Sequence, residues 1–431
     1  MARAAVVVTG TEVLTGRVPD ANGPWLAEQL RGLGADIGAV VTVGDRPGDL
    51  ASALRFAASG HDLVITSGGL GPTADDLTVA VVADALGLGI GLDTALETRI
   101  RAVVDRIAAA RGWTTPENEL AAGTRKQALV PEGAAVLEPV GTAPGLVVAD
   151  PRGGPPVVVL PGPPSELQAM WPTALDDPRV RAALGLDDGA EALHERTIRI
   201  SGPPEAELAG LLREHEQRHG RLEAAGLEVT TCLRDGDLEV VTRFRPRASP
   251  AYDALEHAVL GRFADSVYST DGATVDEVVA AGLRRHGWTV ATAESCTAGL
   301  LAGRLADLPG SSEYLLGGVV TYSDAAKTTH LGVPADLIAR RGAVSANVAR
   351  AMAEGVRQRF GSTLAVAVTG IAGPGGARPG KPVGLVHVAL AGPDGTGTHR
   401  LHLTGDRAHV RARTVTRCLH LLRAAVGGPG D

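Results

Sequence analysis

The chain has 431 residues, 44% of them hydrophobic and 3% aromatic, and it carries a net charge of −8. This length predicts more than one hydrophobic core, because single cores seldom grow beyond about 250 residues. An acidic chain that is poor in aromatic residues lacks the basic surface and the stacking side chains that nucleic acids require. A direct nucleic-acid partner is therefore not expected.

The apolar runs predict no membrane contact, since each is far shorter than the roughly 20 residues that span a bilayer. No apolar leader with a cleavage site precedes the first strand-like run. The three cysteines, Cys232, Cys296 and Cys418, share no short spacing, which argues against a disulfide framework and a zinc cluster. We expect a cytoplasmic protein with reduced thiols.

Buried parallel strands are predicted wherever an apolar, β-branched run ends in small polar residues and glycine. Such runs lie at residues 5–9, 63–67, 157–160, 288–292, 319–321 and 365–369. Helical patterns alternate with them, the clearest beginning at Asn22 with Pro24 in its first turn. This alternation predicts α/β architecture, with ligands bound beyond the carboxyl ends of the strands.

The middle of the chain shows a different order of elements. The pattern predicts a strand at 196–200, a helix at 204–216, a hairpin at 227–244, a helix at 252–263 and a strand at 266–269. This β-α-β-β-α-β order is that of a ferredoxin-like α+β domain. The complete prediction is two three-layer α/β modules, at 1–172 and 273–425, joined by this small module at 190–270, with a disordered tail at 426–431.

Lysine is rare in this chain, which has 41 basic side chains but only three lysines, at positions 126, 327 and 381. An amine can lose its proton near neutral pH when its environment lowers its pKa, whereas a guanidinium cannot. Each retained lysine is therefore a candidate for a chemical role, chance being the alternative.

Four polar clusters accompany apolar runs in the last third of the chain, at 294–299, 309–312, 321–327 and 369–376. Each alone has a structural interpretation as a helix cap, a turn or a solvated cation. Together they permit a serine nucleophile with a lysine base, and a glycine-rich loop whose amides face a phosphate or an oxyanion. Cys296 is the alternative nucleophile, although no histidine in the nearby motifs would form a thiolate pair with it.

These clusters, together with residues 342–345 and 381–384, resemble the C-terminal domain of the CinA (competence/damage-inducible) family over nearly all of 273–425. The resemblance implies a nicotinamide mononucleotide amidohydrolase that serves NAD salvage and needs no cofactor. Matching positions imply Ser312 as nucleophile, Lys327 as its base, and a pocket shaped by Tyr322, Ser295 and Thr369. Implied substrate contacts are Glu294, Gly370 and Gly373, with Arg407 or Arg411 on the phosphate. Ala298 stands where the family commonly has glycine.

A glycine-rich turn at 66–71 follows a predicted strand in the first third of the chain and leads to Thr73, Asp75 and Asp76. Such a turn presents backbone amides to an anion. Adjacent aspartates would repel a phosphate unless a cation lay between them, which indicates Mg²⁺ with a phosphorylated ligand. The alternative for this stretch is a helix start, where the helix dipole favours aspartates.

Residues 10–14, 20–22, 45, 141–145 and 160–166 resemble the molybdopterin-binding-like (MoaB/MogA-like) domain that heads full-length CinA proteins, over about 4–172. The resemblance implies a divalent-metal-dependent pyrophosphatase that acts on ADP-ribose. Its implied metal-binding or water-activating carboxylates are Glu12, Asp45, Asp75, Asp76 and Glu166. Its implied substrate contacts are Gly68, Gly69, Gly71, Thr73, Gly141 and Thr142. Thr11 and Glu138 depart from the family pattern.

Three hypotheses follow. The first is a bifunctional hydrolase of NAD metabolites, a homodimer whose partners are small nucleotides. The second is a regulatory protein that binds a pterin or a nucleotide and is linked to competence or DNA damage. The third is an amidase whose N-terminal domain is inactive, which the departures at Thr11 and Glu138 favour.

Overall fold

The computed structural model describes residues 2–112, 116–186, 193–234 and 236–427. The chain forms two compact units, Met1–Leu193 and His194–Asp431. Residues 428–431 of the predicted tail and the hairpin residue Asp235 lie outside the described residues. Val426, the first residue of the predicted tail, is instead buried in the core of the C-terminal module. None of the described helices combines the length and apolar character needed to cross a bilayer.

The first unit contains eight strands and eight helices among its described residues. They are β1 (Arg3–Thr9), α1 (Thr11–Leu14), α2 (Asn22–Gly32), β2 (Asp36–Val43), α3 (Pro47–Ala58), β3 (Leu63–Ser67), α4 (Thr78–Leu86), β4 (Ile90–Leu92), α5 (Thr94–Arg111), α6 (Glu117–Gln127), β5 (Leu129–Pro131), β6 (Ala135–Leu137), β7 (Gly145–Val148), β8 (Val157–Leu160), α7 (Pro164–Asp176) and α8 (Pro178–Leu184).

Six of these strands form one sheet in the order β2-β1-β3-β8-β7-β6. The strands β2, β1, β3 and β8 are parallel, whereas β7 and β6 each run antiparallel to their neighbour. Leu26 of α2 and Trp171 of α7 pack on one face, and Leu54 of α3 and Val82 of α4 pack on the other. Because both faces are covered, the unit has three layers. Helix α8 joins the first of these cores through Val180, so the unit continues past residue 172.

The second unit contains the small module and the C-terminal module. Its elements are β9 (His194–Ser201), α9 (Glu205–His219), β10 (Leu227–Arg234), β11 (Asp237–Phe244), α10 (Ser249–Phe263), β12 (Val267–Ser269), α11 (Val275–His286), β13 (Val290–Glu294), α12 (Leu300–Ala306), β14 (Leu315–Val320), α13 (Asp324–Leu331), α14 (Ala335–Arg341), α15 (Ala346–Phe360), β15 (Leu364–Gly370), β16 (Leu385–Gly392), β17 (Gly395–His402) and α16 (Arg407–Ala425).

The small module has an antiparallel sheet in the order β10-β11-β9-β12. Its core includes Leu208 and Leu211 from α9 and Leu255 and Val259 from α10. This strand order and the two helices confirm the predicted ferredoxin-like arrangement. Buried Asp237 of β11 accepts hydrogen bonds from Tyr268, at 3.0 Å, and from His420 Nε2 of α16, at 2.8 Å.

The C-terminal module has a five-stranded sheet in the order β14-β13-β15-β16-β17. Strands β14, β13 and β15 are parallel, and β16 and β17 are antiparallel to their neighbours. Leu283 of α11 and Leu419 of α16 pack on one face, and Val348 and Met352 of α15 pack on the other. The prediction of two three-layer α/β modules and a small ferredoxin-like module is confirmed.

Candidate functional site

The polar residues of the C-terminal module meet where its three parallel strands end. Ser295 directly follows β13, Thr321 directly follows β14, and Thr369 is the penultimate residue of β15. All three side chains are buried. The parallel arrangement therefore brings together three clusters that are separated by up to 74 residues in the sequence, as α/β topology predicts.

Lys327 reaches this point from α13, whose first turn is capped by Ser323 through the amide of Ala326. Its side chain is buried, and its Nζ atom lies 3.2 Å from Ser295 Oγ. The same Nζ donates to the carbonyl oxygens of Thr321, at 2.9 Å, and Tyr322, at 3.3 Å. None of these three acceptors carries a charge, and burial lowers the pKa of Lys327. A lysine that is pushed towards its neutral form beside a serine hydroxyl has the arrangement that general-base catalysis requires.

Ser312 and Lys327 lie near opposite ends of β14. The predicted contact between their side chains is therefore not formed within one chain. Ser312 belongs to a 3₁₀ turn, Ser311–Glu313, which precedes β14, whereas Lys327 follows that strand. The first and last residues of this six-residue strand are about 17 Å apart. Within one chain the structure therefore brings Lys327 to Ser295 instead.

Glu294 has a structural role, which corrects its prediction as a substrate contact. Its buried carboxylate accepts hydrogen bonds from the amides of Gly299, at 3.0 Å, Leu301, at 3.1 Å, and Ala302, at 2.8 Å. These amides belong to the start of α12, where the first N–H groups of a helix lack partners within the helix. Glu294 thus fixes the turn that carries Ser295.

Ala298 lies in the same turn and has a φ of 51°, the one positive φ of a non-glycine among the residues described. A left-handed conformation costs an alanine roughly 1–2 kcal/mol relative to the right-handed one. The next residue, Gly299, is also left-handed, with a φ of 93°. The glycine that the family commonly has at position 298 thus suits the conformation that this turn adopts.

Cys296 is a poor candidate for the nucleophile. Its side chain is 5% exposed, and burial raises the pKa of its thiol to about 11. Because the thiolate is the nucleophilic form, very little of it would be present at neutral pH.

The two arginines predicted to bind phosphate differ in their surroundings. Arg411 Nε and Nη2 donate to the carbonyl oxygens of Cys296, at 3.1 Å, and Thr297, at 2.9 Å, so this side chain braces the turn after β13. Arg407 is exposed at the first residue of α16, and it donates to the Tyr322 hydroxyl at 2.7 Å and to the Gly373 carbonyl at 2.9 Å. Arg407, rather than Arg411, is the cation that an incoming anion would meet.

Thr369 and Gly370 shape the rear of the site. The Thr369 hydroxyl donates to the carbonyl oxygen of Ala343 at 2.9 Å and so anchors the loop before α15. A β-carbon on Gly370 would lie 2.9 Å from the carbonyl oxygen of Leu385, so only glycine fits beside β16.

The first unit has a cavity of about 510 Å³ at the carboxyl ends of its parallel strands. Most of the predicted residues line it, namely Glu12, Asp45, Gly68, Gly69, Gly71, Asp75, Asp76, Thr142 and Glu166. Thr73 and Gly141 lie next to this set. The Thr73 hydroxyl contacts the carboxylates of both Asp75 and Asp76, and a β-carbon on Gly141 would lie 2.2 Å from Glu166 Oε1.

Two of the cavity carboxylates differ in environment. Asp45 accepts from the amide of Thr11, at 2.9 Å, and from its hydroxyl, at 2.8 Å, so the departure at Thr11 supports this loop instead of disrupting it. Glu166 is half-buried, and burial raises its pKa. A carboxylate with a raised pKa is the better proton acceptor, which favours Glu166 as the water-activating residue. Glu138, the other departure, pairs with Arg99 at 3.3 Å, and both side chains are exposed.

The cavity suits a divalent cation by the chemistry of its donors. Carboxylate oxygens are hard ligands of the kind that Mg²⁺ prefers, and the described residues lining the cavity include no lysine or arginine. Over the part of the chain that the structure describes, no three or more His, Cys, Asp or Glu side chains form a ready metal group. Mg²⁺ commonly binds through one or two carboxylates together with water and substrate phosphates, and this arrangement permits that mode.

Sequence reasoning gave Asn22 no role and singled out Lys126 only for its rarity; Asn22 belongs to the lining of the cavity, and Lys126 lies beside that lining. Asn22 donates from Nδ2 to Ser67 Oγ, at 2.8 Å, and to the Gly162 carbonyl, at 2.7 Å, and has a buried Oδ1 without a partner. Lys126 of α6 donates to the carbonyl of Thr73, next to the aspartate pair. Its rarity as a lysine was the available signal.

Comparisons with known proteins find a similar domain for each half of the chain. The sequence profile of the CinA C-terminal domain matches residues 272–426, and that of a probable molybdopterin binding domain matches residues 5–181. A CinA-like protein from Mycolicibacterium vanbaalenii is 54% identical, with 100% of both chains covered. A CinA-like protein from Mycobacterium tuberculosis is 49% identical over 100% of this chain and 99% of its own.

A solved structure, a competence/damage inducible protein CihA from Agrobacterium tumefaciens, is similar to a part of the chain. It is 41% identical, covers 35% of this chain and 94% of its own, and has a TM-score of 0.34.

Proposed function

The chain belongs to the CinA family, and we propose that its C-terminal domain hydrolyses the amide of nicotinamide mononucleotide, with Ser295 as nucleophile and Lys327 as base. The contact between Lys327 Nζ and Ser295 Oγ, in a buried site with uncharged acceptors, carries this proposal. The contact supports the proposal because a buried amine lies beside a hydroxyl where strands β13, β14 and β15 end, as a serine nucleophile with a lysine base would require.

The reaction follows from this geometry. Lys327 takes the proton of the Ser295 hydroxyl while the oxygen attacks the carboxamide carbon. The C–N bond then breaks, and the proton on Lys327 passes to the departing nitrogen, which leaves as ammonia. Water next attacks the acyl ester while Lys327 accepts one of its protons, and Lys327 passes that proton to the serine oxygen as the ester C–O bond breaks. The acid product loses its proton to solvent, which leaves the nicotinate carboxylate and the free serine.

Arg407 supplies the charge for the substrate phosphate in this proposal, because it is exposed at the mouth of the site and hydrogen-bonded to Tyr322. We expect Arg407→Gln to raise the KM for nicotinamide mononucleotide about tenfold or more, since a charge-assisted contact contributes roughly 1.5–3 kcal/mol. The rate with nicotinamide riboside, which has no phosphate, should not change with the substitution. Steady-state kinetics with both substrates test this, and an equal loss with both would show that Arg407 does not bind the phosphate.

We further propose that the N-terminal domain hydrolyses the pyrophosphate bond of ADP-ribose with a divalent cation, giving AMP and ribose 5-phosphate. Asp75 and Asp76 would hold the cation, which would neutralise the phosphate charge, and Glu166 would accept a proton from the attacking water. The cavity supports this proposal because an acidic wall without basic side chains needs a cation before it accepts a diphosphate.

The two activities should separate when a chelator is added. EDTA is expected to lower ADP-ribose hydrolysis at least about tenfold and to leave ammonia release unchanged, because the proposed serine–lysine mechanism uses no metal ion. Asp76→Asn should have the same selective effect. Product analysis by chromatography in the same tube measures both activities. ADP-ribose hydrolysis that survives EDTA would contradict the assignment of a metal to this cavity.

A further inference from the structure

Helix α9 of the small module ends with two histidines that are one helical turn apart, in the sequence His215-Glu216-Gln217-Arg218-His219. Side chains four residues apart lie on the same face of a helix. Two histidines at this spacing, with a glutamate after the first, form the pattern by which zinc hydrolases hold their metal. Neither of the activities proposed above uses these residues.

The two imidazole rings lie at the separation of a metal chelate. Their centroids are 4.6 Å apart, and the angle between the ring planes is 29°. Two imidazoles that bind one ion through nitrogen atoms about 2.0–2.1 Å from it, at an angle of about 90–110°, place their ring centres about 4.5–5.2 Å apart. The helix backbone therefore already holds the pair at a spacing that one ion can bridge.

Both rings line a cavity of about 260 Å³ between α9 and α10. His215 is only 6% exposed, yet among the described residues neither of its ring nitrogens has a hydrogen-bond partner. Buried polar groups nearly always have a partner, so such a nitrogen is available to a group that enters the cavity. Burial and the neighbouring His219 lower the pKa of His215, so its ring is neutral near pH 7. A neutral imidazole is the form that binds metals.

The charges on the cavity wall decide which ligand fits. Glu214 accepts from Arg262 at 2.9 Å and lies 3.8 Å from Arg218. An anion would have to displace this carboxylate from both arginines. The wall has little negative charge to hold Mg²⁺, which prefers carboxylate oxygens, whereas imidazole nitrogens suit Zn²⁺, Ni²⁺ and Cu²⁺.

We propose that His215 and His219 bind one divalent transition-metal ion of the Zn²⁺, Ni²⁺ and Cu²⁺ class at the end of α9. Over the described residues no third His, Cys, Asp or Glu joins the pair in a ready metal group, so water completes the coordination. Glu216 does not act as a base, because its Oε1 accepts from the amide of Leu222 at 3.2 Å and holds the loop after the helix. The ion thus fixes the last turn of α9 and has no part in hydrolysis.

Calorimetric titration of the full chain with Ni²⁺ tests the site. Exposed Cys232 is replaced by serine and Mg²⁺ is present in excess, so that thiolate and carboxylate sites do not contribute. We expect one Ni²⁺ ion per chain. His219→Ala changes an exposed side chain and should weaken binding at least about tenfold, because a chelate becomes a single contact. His257→Ala on α10 is the matched control, since His257 is exposed and lies outside the cavity lining, and it should keep the wild-type affinity.

Electron paramagnetic resonance of the Cu²⁺ complex identifies the ligands directly. The spectrum should show coupling to two imidazole nitrogens in the wild-type chain and in His257→Ala, and to one in His219→Ala. Ni²⁺ binding should also weaken as the pH falls below about 6, because protons compete with the metal for the same nitrogen atoms.

A wild-type chain that binds no Ni²⁺ under these conditions, or binding that His219→Ala leaves unchanged, would overturn the proposal. Inorganic phosphate that binds this cavity in place of Ni²⁺ would also overturn it and would indicate an anion site at Arg218 and Arg262. The titration measures binding alone, so its outcome does not depend on either hydrolytic activity.

Discussion

Lys327→Arg is expected to reduce the rate of ammonia release from nicotinamide mononucleotide by at least about three orders of magnitude, which is the usual size of the effect when a catalytic base is removed. The guanidinium keeps its positive charge at every accessible pH and cannot accept the Ser295 proton. The native amine lies 3.2 Å from that hydroxyl and is buried among uncharged acceptors, which lowers its pKa. Lys381→Arg is the matched control, because the Lys381 amine donates to the Arg341 carbonyl and not to Ser295, and this variant should keep wild-type activity.

The pH profile gives an independent readout of the same residue. Only the neutral amine accepts a proton, so kcat/KM should rise with pH through the lowered pKa of Lys327 and level off above it. An unperturbed lysine would place this rise near 10.4. A rate that does not depend on pH from 6 to 10, or a Lys327→Arg enzyme within tenfold of wild type, would show that Lys327 is not the base.

Ser295→Ala is expected to cause a loss of similar size, about three orders of magnitude in kcat, because no other hydroxyl is seen in contact with Lys327 Nζ in the described part of the chain. The variant should fold normally, since Lys327 keeps two carbonyl acceptors, on Thr321 and Tyr322. Circular dichroism and thermal unfolding check the fold, and single-turnover kinetics measure the chemical step.

Two controls separate Ser295 from the alternative nucleophiles. Cys296→Ala should keep turnover near the wild-type level, because burial holds its thiol protonated at neutral pH. Ser312→Ala should keep a kcat far above that of Ser295→Ala. A working Ser295→Ala enzyme beside an inactive Ser312→Ala enzyme would transfer the role of nucleophile to Ser312.

The architecture could be predicted from the sequence because its signals are periodic and local. Apolar runs that end in threonine, serine and glycine predicted the strands and the edge of the sheet at which the sites lie. The run at 319–321 was wrongly predicted to be buried, because it belongs to the half-exposed edge strand β14. Lys327 could be singled out because lysine is rare in this chain and because it follows a predicted strand. The end of the first unit was harder to predict from the sequence. Helix α8, which lies beyond residue 172, adds Val180 to the core of that unit.

The contacts between site residues could not be predicted, because they join segments that are distant in the sequence and leave no local sequence pattern. Ser312 lies before the start of β14, whereas Ser295 lies after the end of β13. Because these strands are parallel, the two serines are at opposite ends of the sheet, and the sequence clusters alone did not show this. Glu294 was predicted to contact substrate, yet its carboxylate is buried on the amides of α12. The partners of Lys327 include two backbone carbonyls, which any residue type could supply.

The most direct test is the stoichiometry of ammonia and nicotinic acid mononucleotide formed from nicotinamide mononucleotide by the purified chain in EDTA. We predict equal amounts of both products from the wild-type chain and neither from the Ser295→Ala and Lys327→Arg variants. A folded wild-type chain that releases no ammonia, or variants that release it at the wild-type rate, would contradict amide hydrolysis at the Ser295–Lys327 site.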